Sequence, residues 1–122
     1  MASFKQQMER AEKKIWTKTS RALQGIAREM RIEIAKATPY KTGRAKASWN
    51  LSVNTPNFIR KAENYKSSPS GAVRAGAVRV TGFKLGDTFI IANSVHYIGK
   101  LNAGTSSQAP RNFVKIAARR VS

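Results

Sequence analysis

The chain has 122 residues, no cysteine, and 23 Lys and Arg against 6 Asp and Glu, for a net charge of +17. That length fits one domain, and the missing cysteines exclude a disulfide framework and a cysteine-ligated metal, which suits a reducing compartment. The longest apolar run, Phe89–Ala92, is far short of the roughly 20 residues a membrane span needs, so no membrane partner is expected. The N-terminus carries no apolar run of the kind a signal peptide has.

The charge is uneven. Residues 1–37 hold nine basic and four acidic groups, whereas residues 38–122 hold fourteen basic groups and only Glu63 and Asp87. The second part therefore carries +12 with almost nothing to neutralise it. A surface of one sign points to a polyanionic or acidic partner, the bland alternative being a merely soluble basic domain.

Phe4, Met8, Ala11, Ile15, Ala22, Ile26, Met30, Ile34 and Ala37 recur at threes and fours, with Thr19 filling the gap. This predicts one amphipathic helix from about Ser3 to Ala37, with Ser3 as N-cap. At about 1.5 Å per residue such a helix is about 50 Å long, while a compact chain of this size is about 35 Å across. Either the helix overhangs its own domain and needs another surface for its stripe, or it breaks near Gly25 and folds back. The overhang makes Ile15 and Ile26 candidate interface residues.

Pro39 removes an N–H and drives Thr38 out of the helical region, so the helix should stop near Ala37. Gly43 then offers a backbone position that tolerates positive φ. From Ala45 to Val53 the residues alternate, with Ala47, Trp49, Leu51 and Val53 on one face and Ser48, Asn50 and Ser52 on the other, which reads as a half-buried strand. Residues 54–71 are rich in turn formers and read as a long loop, functional or mobile, that Phe58 and Tyr65 could anchor or present and that carries Arg60, Lys61 and Lys66 outward to a protein partner. Ser68-Pro69 has the form of an N-cap and first helical residue, so a short helix over Ala72–Val80 is expected, with a strand as the alternative. Gly86-Asp87 marks a turn before the clearest strand, Thr88–Asn93. One helical turn or an irregular crossing is expected within Val95–Leu101, then a polar loop. Phe113, Ile116 and Ala117 make the apolar stripe of a short final helix starting at Pro110, with Arg111, Lys115, Arg119 and Arg120 as its basic face.

The residues that chemistry would need are missing as a set. His96 stands alone beside Tyr97 and reads as a packing or hydrogen-bonding residue. The six acids are scattered, no pair can be named as general acid and base, and no His–acid cluster has the count of a metal site. No phosphate-binding glycine loop occurs. No cofactor and no enzymatic activity are expected. The basic residues suffice for contacts with nucleic-acid phosphates, but no helix-turn-helix, zinc-finger or RNA-recognition signature accompanies them.

Two ordered blocks carry a resemblance. The first is Thr38-Pro39-Tyr40-Lys41-Thr42-Gly43-Arg44, followed by Ser48-Trp49. The second is a strand ending at Asn93, then Tyr97, Leu101, Gly104, Gln108-Ala109-Pro110 and a final helix. Together with the long first helix they resemble the head–tail neck and tail-completion proteins of long-tailed bacteriophages, over nearly the whole length. The family often has Asp where Lys41 stands and Glu where Asn102 stands, so any ion pair those acids make in relatives is in doubt here.

The resemblance implies an α+β domain over residues 1–122: a long N-terminal helix (1–37), then a small, mostly antiparallel sheet, loops and a short basic helix (38–122). It implies a structural virion protein at the neck, made in the host bacterial cytoplasm and acting in tail completion and head–tail joining. The partners would be further copies in a sixfold or twelvefold ring, neighbouring neck, tail-terminator or connector proteins, and packaged double-stranded DNA held without sequence reading. Arg111, Lys115, Arg119 and Arg120 are candidates to line the DNA channel. A free, non-sequence-specific nucleic-acid-binding protein is the alternative.

Overall fold

The computed structural model describes residues 3–121. It is an α+β fold built on a 34-residue helix, α1 (Phe4–Ala37). Ser3 caps it: the Ser3 hydroxyl accepts from the Gln6 N–H at 3.2 Å, and the Gln6 side chain accepts from the Ser3 N–H at 3.1 Å. This reciprocal pair satisfies two donors that an open helix end would leave unpaired. The helix runs through Gly25 without a break, so it spans about 51 Å. It ends where Thr38 turns to extended geometry ahead of Pro39.

After Gly43, at φ +92°, the chain makes one helical turn, α2 (Arg44–Ala47), and then β1 (Asn50–Val53). The expected strand over Ala45–Val53 is thus shorter by half. Gly43 supplies the reversal, its carbonyl accepts from the Ala47 N–H, and the Ser48 hydroxyl donates back to the Arg44 carbonyl, so the first residues close a turn. Next come α3 (Pro69–Arg74), β2 (Phe89–Ala92), α4 (Ile98–Asn102) and α5 (Phe113–Arg119). β1 pairs antiparallel with β2, Leu51 opposite Ile91, in a two-stranded sheet. Val78 adds a single parallel bridge on the other edge of Leu51.

α3 starts at Pro69 behind Ser68, as expected, and stops at Arg74, short of the expected Val80. Ser68 caps it, accepting from the Gly71 N–H, and the chain after it is drawn onto β1. Gly76 permits that approach, because a Cβ there would overlap the Trp49 carbonyl oxygen. α5 starts at Phe113 rather than Pro110, since Asn112 takes the left-handed conformation at φ 60° just before it.

The core lies on the C-terminal half of α1. Ile34, Ala35, Trp49, Val73 and Ala117 form one buried cluster, and Ala27, Leu51 and Val80 a second beside it. Phe83 stacks on Phe89 at 4.2 Å and on Trp16 at 5.9 Å, and Trp16 is the first residue of α1 that is not exposed. Towards the N-terminus from Trp16, every described residue of α1 is exposed.

The faces of α1 differ from the sequence expectation. The side turned to the body carries Trp16, Ser20, Ala27, Arg31, Ile34 and Thr38, about 100° round from the predicted stripe over most of its length. The first part of the predicted stripe remains outside: Phe4 is 77% exposed, Met8 46%, Ile15 65% and Ile26 46%. Its last part, Met30, Ile34 and Ala37, lies in or against the core. No helix is long and apolar enough to cross a membrane among the described residues.

Candidate functional site

Residues 43–52 are all buried, although the run includes Arg44, Lys46, Ser48, Asn50 and Ser52. Buried polar groups need partners, and each of these finds a backbone group elsewhere in the chain. Lys46 closes the C-terminus of α1. Its ammonium donates to the Ala35 carbonyl at 3.1 Å, which also takes the Thr38 N–H, and to the Lys36 carbonyl at 2.8 Å, and its charge lies at the negative end of the helix dipole. Thr38 completes the cap, donating its hydroxyl to the Ile34 carbonyl at 2.8 Å and accepting the Trp49 indole N–H at 2.8 Å.

The other polar residues of the run hold residues 55–61. The Arg44 guanidinium donates to the Lys61 carbonyl at 2.9 Å, and the Ser48 hydroxyl accepts from the Lys61 N–H at 3.0 Å. The Asn50 amide donates to the carbonyls of Asn57 at 3.0 Å and Ile59 at 2.6 Å, while its oxygen accepts from the Ala77 N–H at 3.0 Å. Ser52 donates to the Thr55 carbonyl. The segment expected to be mobile is therefore fastened along its first half. Lys61 is half-buried with its ammonium 5.9 Å from the Tyr65 ring centre, so it does not reach outward as expected. Arg60 and Lys66 are exposed, with Arg60 also donating to the Ser94 carbonyl at 3.4 Å. Fastening these backbones holds Phe58 and Ile59 out in solvent.

The two motif blocks meet at Tyr40 and Gln108. The Gln108 amide donates to the Tyr40 carbonyl at 2.6 Å, and its oxygen accepts from the Tyr40 N–H at 2.7 Å. A side chain 68 positions away thus completes both polar groups of one backbone residue, as a neighbouring strand would. The Tyr40 hydroxyl donates to the Ser67 carbonyl at 2.7 Å. Asn93 makes a second tie, donating to the Ala45 carbonyl at 2.8 Å and accepting from the Val95 N–H at 3.0 Å.

This junction forms a cleft of about 540 Å³, lined in part by Pro39, Tyr40, Thr42, Arg44, Tyr97 and Gln108. Of the other motif residues, Gly43 also lines it, Trp49 and Ala109 are buried, Asn93 lies under α2, and Pro110 is exposed. Gly104 turns the chain at φ +94° before Arg111. Asn102, where the resembling family often carries Glu, accepts from the Val114 N–H at 3.2 Å and receives the Asn112 N–H on its carbonyl, so it serves the start of α5.

The cleft offers two tyrosines, an exposed Lys41, the fixed Arg44 and an exposed Glu63. It has shape and hydrogen-bonding capacity. His96 is exposed, edge-on to Tyr97 at 5.1 Å. No group of three His, Asp or Glu side chains able to hold a metal ion occurs among the described residues.

The basic residues expected on one terminal helix divide. Lys115 and Arg119 lie four apart on α5, Arg120 follows its end and Arg111 precedes it. All four are exposed, while Phe113 and Ala117 turn to the core.

Sequence reasoning missed Arg31 and Lys46 as interior cations. Their signal was faint: each sits among small or apolar neighbours, but cations are ordinarily assigned to solvent. No protein-family model, curated protein or solved structure matches this chain.

Proposed function

We propose that this chain is a structural protein of a long-tailed bacteriophage particle, acting at the neck in tail completion and head–tail joining as a ring of copies around the DNA channel. The observation that carries the reading is the outer stripe of α1. Phe4, Met8, Ile15 and Ile26 form an apolar line along a helix whose first turns project beyond the fold, and exposed apolar surface of this extent marks an interaction site. The resemblance supplies the class of assembly, and its two blocks fold into one joint through Tyr40 and Gln108.

The occupant of the stripe is the neighbouring copy in the ring. Copies of charge +17 repel one another, and DNA phosphates along the axis would offset that repulsion. Exposed Arg111, Lys115, Arg119 and Arg120 suit non-specific contact with those phosphates. The same four residues favour the second reading, a free non-sequence-specific nucleic-acid-binding protein. Antibody labelling of purified particles separates the two. Label at the neck is the expected result, and particles free of label with the chain recovered on intracellular nucleic acid would contradict the virion reading.

A further inference from the structure

Apart from the motif cleft, α1 and α3 enclose a second recess of about 510 Å³. Its lining includes four cationic residues, Arg31, Lys36, Lys46 and Arg74, with Ser70, and an apolar wall of Ile32, Pro69 and Val73. No acidic residue lines it. Lys36 pairs with Glu33 at 3.6 Å, and the other three cations of the recess pair with no carboxylate among the described residues.

Arg31 is the residue that its surroundings leave incomplete. It is 4% exposed, and its Nη1 donates to the Val73 carbonyl at 3.1 Å. Its Nε–H is buried with no hydrogen-bond partner among the described residues. Lys46 is 6% exposed and spends two of its three donors on α1 carbonyls. Burial pulls both cations below their ordinary pKa, the direction that a bound anion would reverse. An unpaired buried charge is costly, and such groups are ordinarily paired or bound to a counter-ion.

We propose that this recess is a binding site for a phosphate group, with Arg31 and Lys46 at its floor and Arg74 at its mouth. Guanidinium groups present planar forks of donors that match phosphate oxygens, and a recess with several cations and no acid favours a multiply charged anion over a single carboxylate. The apolar wall would receive whatever the phosphate carries. The phosphate could be a free ion or a nucleic-acid backbone group; the chemistry of recognition is the same. The inference goes beyond the virion reading and does not depend on it.

The test uses the full-length chain titrated with inorganic phosphate, and separately with a short oligothymidylate, at constant ionic strength against chloride. Phosphate should raise the melting temperature, since a ligand of the native state alone stabilises it. The Arg31 Nε–H resonance should shift on binding. Arg74→Ala should weaken binding about tenfold, the loss of one charge-assisted hydrogen bond. Lys84→Ala removes the same charge on a distant turn and should leave affinity unchanged; because Arg74 and Lys84 are both exposed, neither variant is expected to disturb folding. If the oligonucleotide binds and phosphate competes with it, the source is a nucleic-acid backbone; if only phosphate binds, it is the free ion. Absence of binding by both probes, or equal losses in the two variants, would overturn the proposal.

Discussion

The Trp49 indole N–H donates to the Thr38 hydroxyl at 2.8 Å, and that hydroxyl donates onward to the Ile34 carbonyl at 2.8 Å. One threonine thus ties the aromatic centre of the core to the last turn of α1. The helix end, the first motif residue and the tryptophan are one hydrogen-bonded unit. Thr38→Val keeps the shape and removes both bonds, leaving the buried indole N–H without a partner. A loss of about 1–3 kcal/mol is expected, read from urea unfolding of the purified chain. Trp49→Phe in the Thr38→Val background should cost less than it does alone, because the orphaned donor is gone.

Asn50 joins three segments with one amide, and its orientation is fixed by two carbonyls on one side and an N–H on the other. Asn50→Asp keeps the acceptor for Ala77 but turns an oxygen towards the Asn57 and Ile59 carbonyls. It should destabilise the fold by at least about 2 kcal/mol at neutral pH, and less in acid where the carboxyl can donate. Amide exchange at residues 57–61 would report the release locally.

How much of this could be read from the chain is clear at particular residues. The extent of α1, its stop before Pro39, the reversal at Gly43 and the strand at Phe89–Ala92 follow from local chemistry, and local chemistry is what a sequence displays. The alternation of Ser48, Asn50 and Ser52 suggested an outer, wetted face. It is instead a dry face lined by the backbone of residues 55–61, and no local pattern says that a later segment will cover it. Arg31 and Lys46 escaped notice for the same reason, since their partners are carbonyls supplied by the fold. The stripe on α1 was legible as a pattern but not as a direction. The inward face of α1 includes Ser20, Arg31 and Thr38, so hydropathy selects the outward one. The meeting of Tyr40 with Gln108 was implied only in that both belong to blocks of one resemblance.

The Tyr40–Gln108 pair gives a test of the cleft. Gln108→Glu replaces the donor to the Tyr40 carbonyl with a second acceptor, while Gln108→Asn shortens the reach. Both should speed amide exchange at Tyr40. Because Gln108 is exposed, the stability cost should be about 1 kcal/mol or less. Assembly should suffer more than stability if the cleft is a contact surface.

Acid and alkali should act on different groups. The Asp87 carboxylate accepts from the Asn54 side chain and the Lys84 N–H, which holds its pKa below the ordinary value. Its stabilising contribution is complete above the unfolded value of about 3.9 and is lost as pH falls through the folded one. Asp87→Asn should flatten the acid limb of the stability curve. Lys46 has the opposite consequence at high pH. Burial lowers its pKa, so the unfolded chain holds the proton more tightly and stability should rise as pH climbs from the folded value towards about 10.4. Urea midpoints measured across both ranges, in wild type and Asp87→Asn, would check the two signs.

The outer stripe of α1 carries the proposed assembly, and sedimentation velocity of the purified chain tests it. The wild-type chain should form a closed oligomer, more completely as added salt screens its +17 charge or as double-stranded DNA is supplied. The Ile15→Glu, Ile26→Glu double variant should remain a folded monomer that melts where the dissociated wild-type chain does, since both side chains are largely exposed in the single chain. A wild-type chain that stays monomeric in salt and with DNA, or a double variant that assembles as well as wild type, would contradict the claim that this helix face joins one copy to the next.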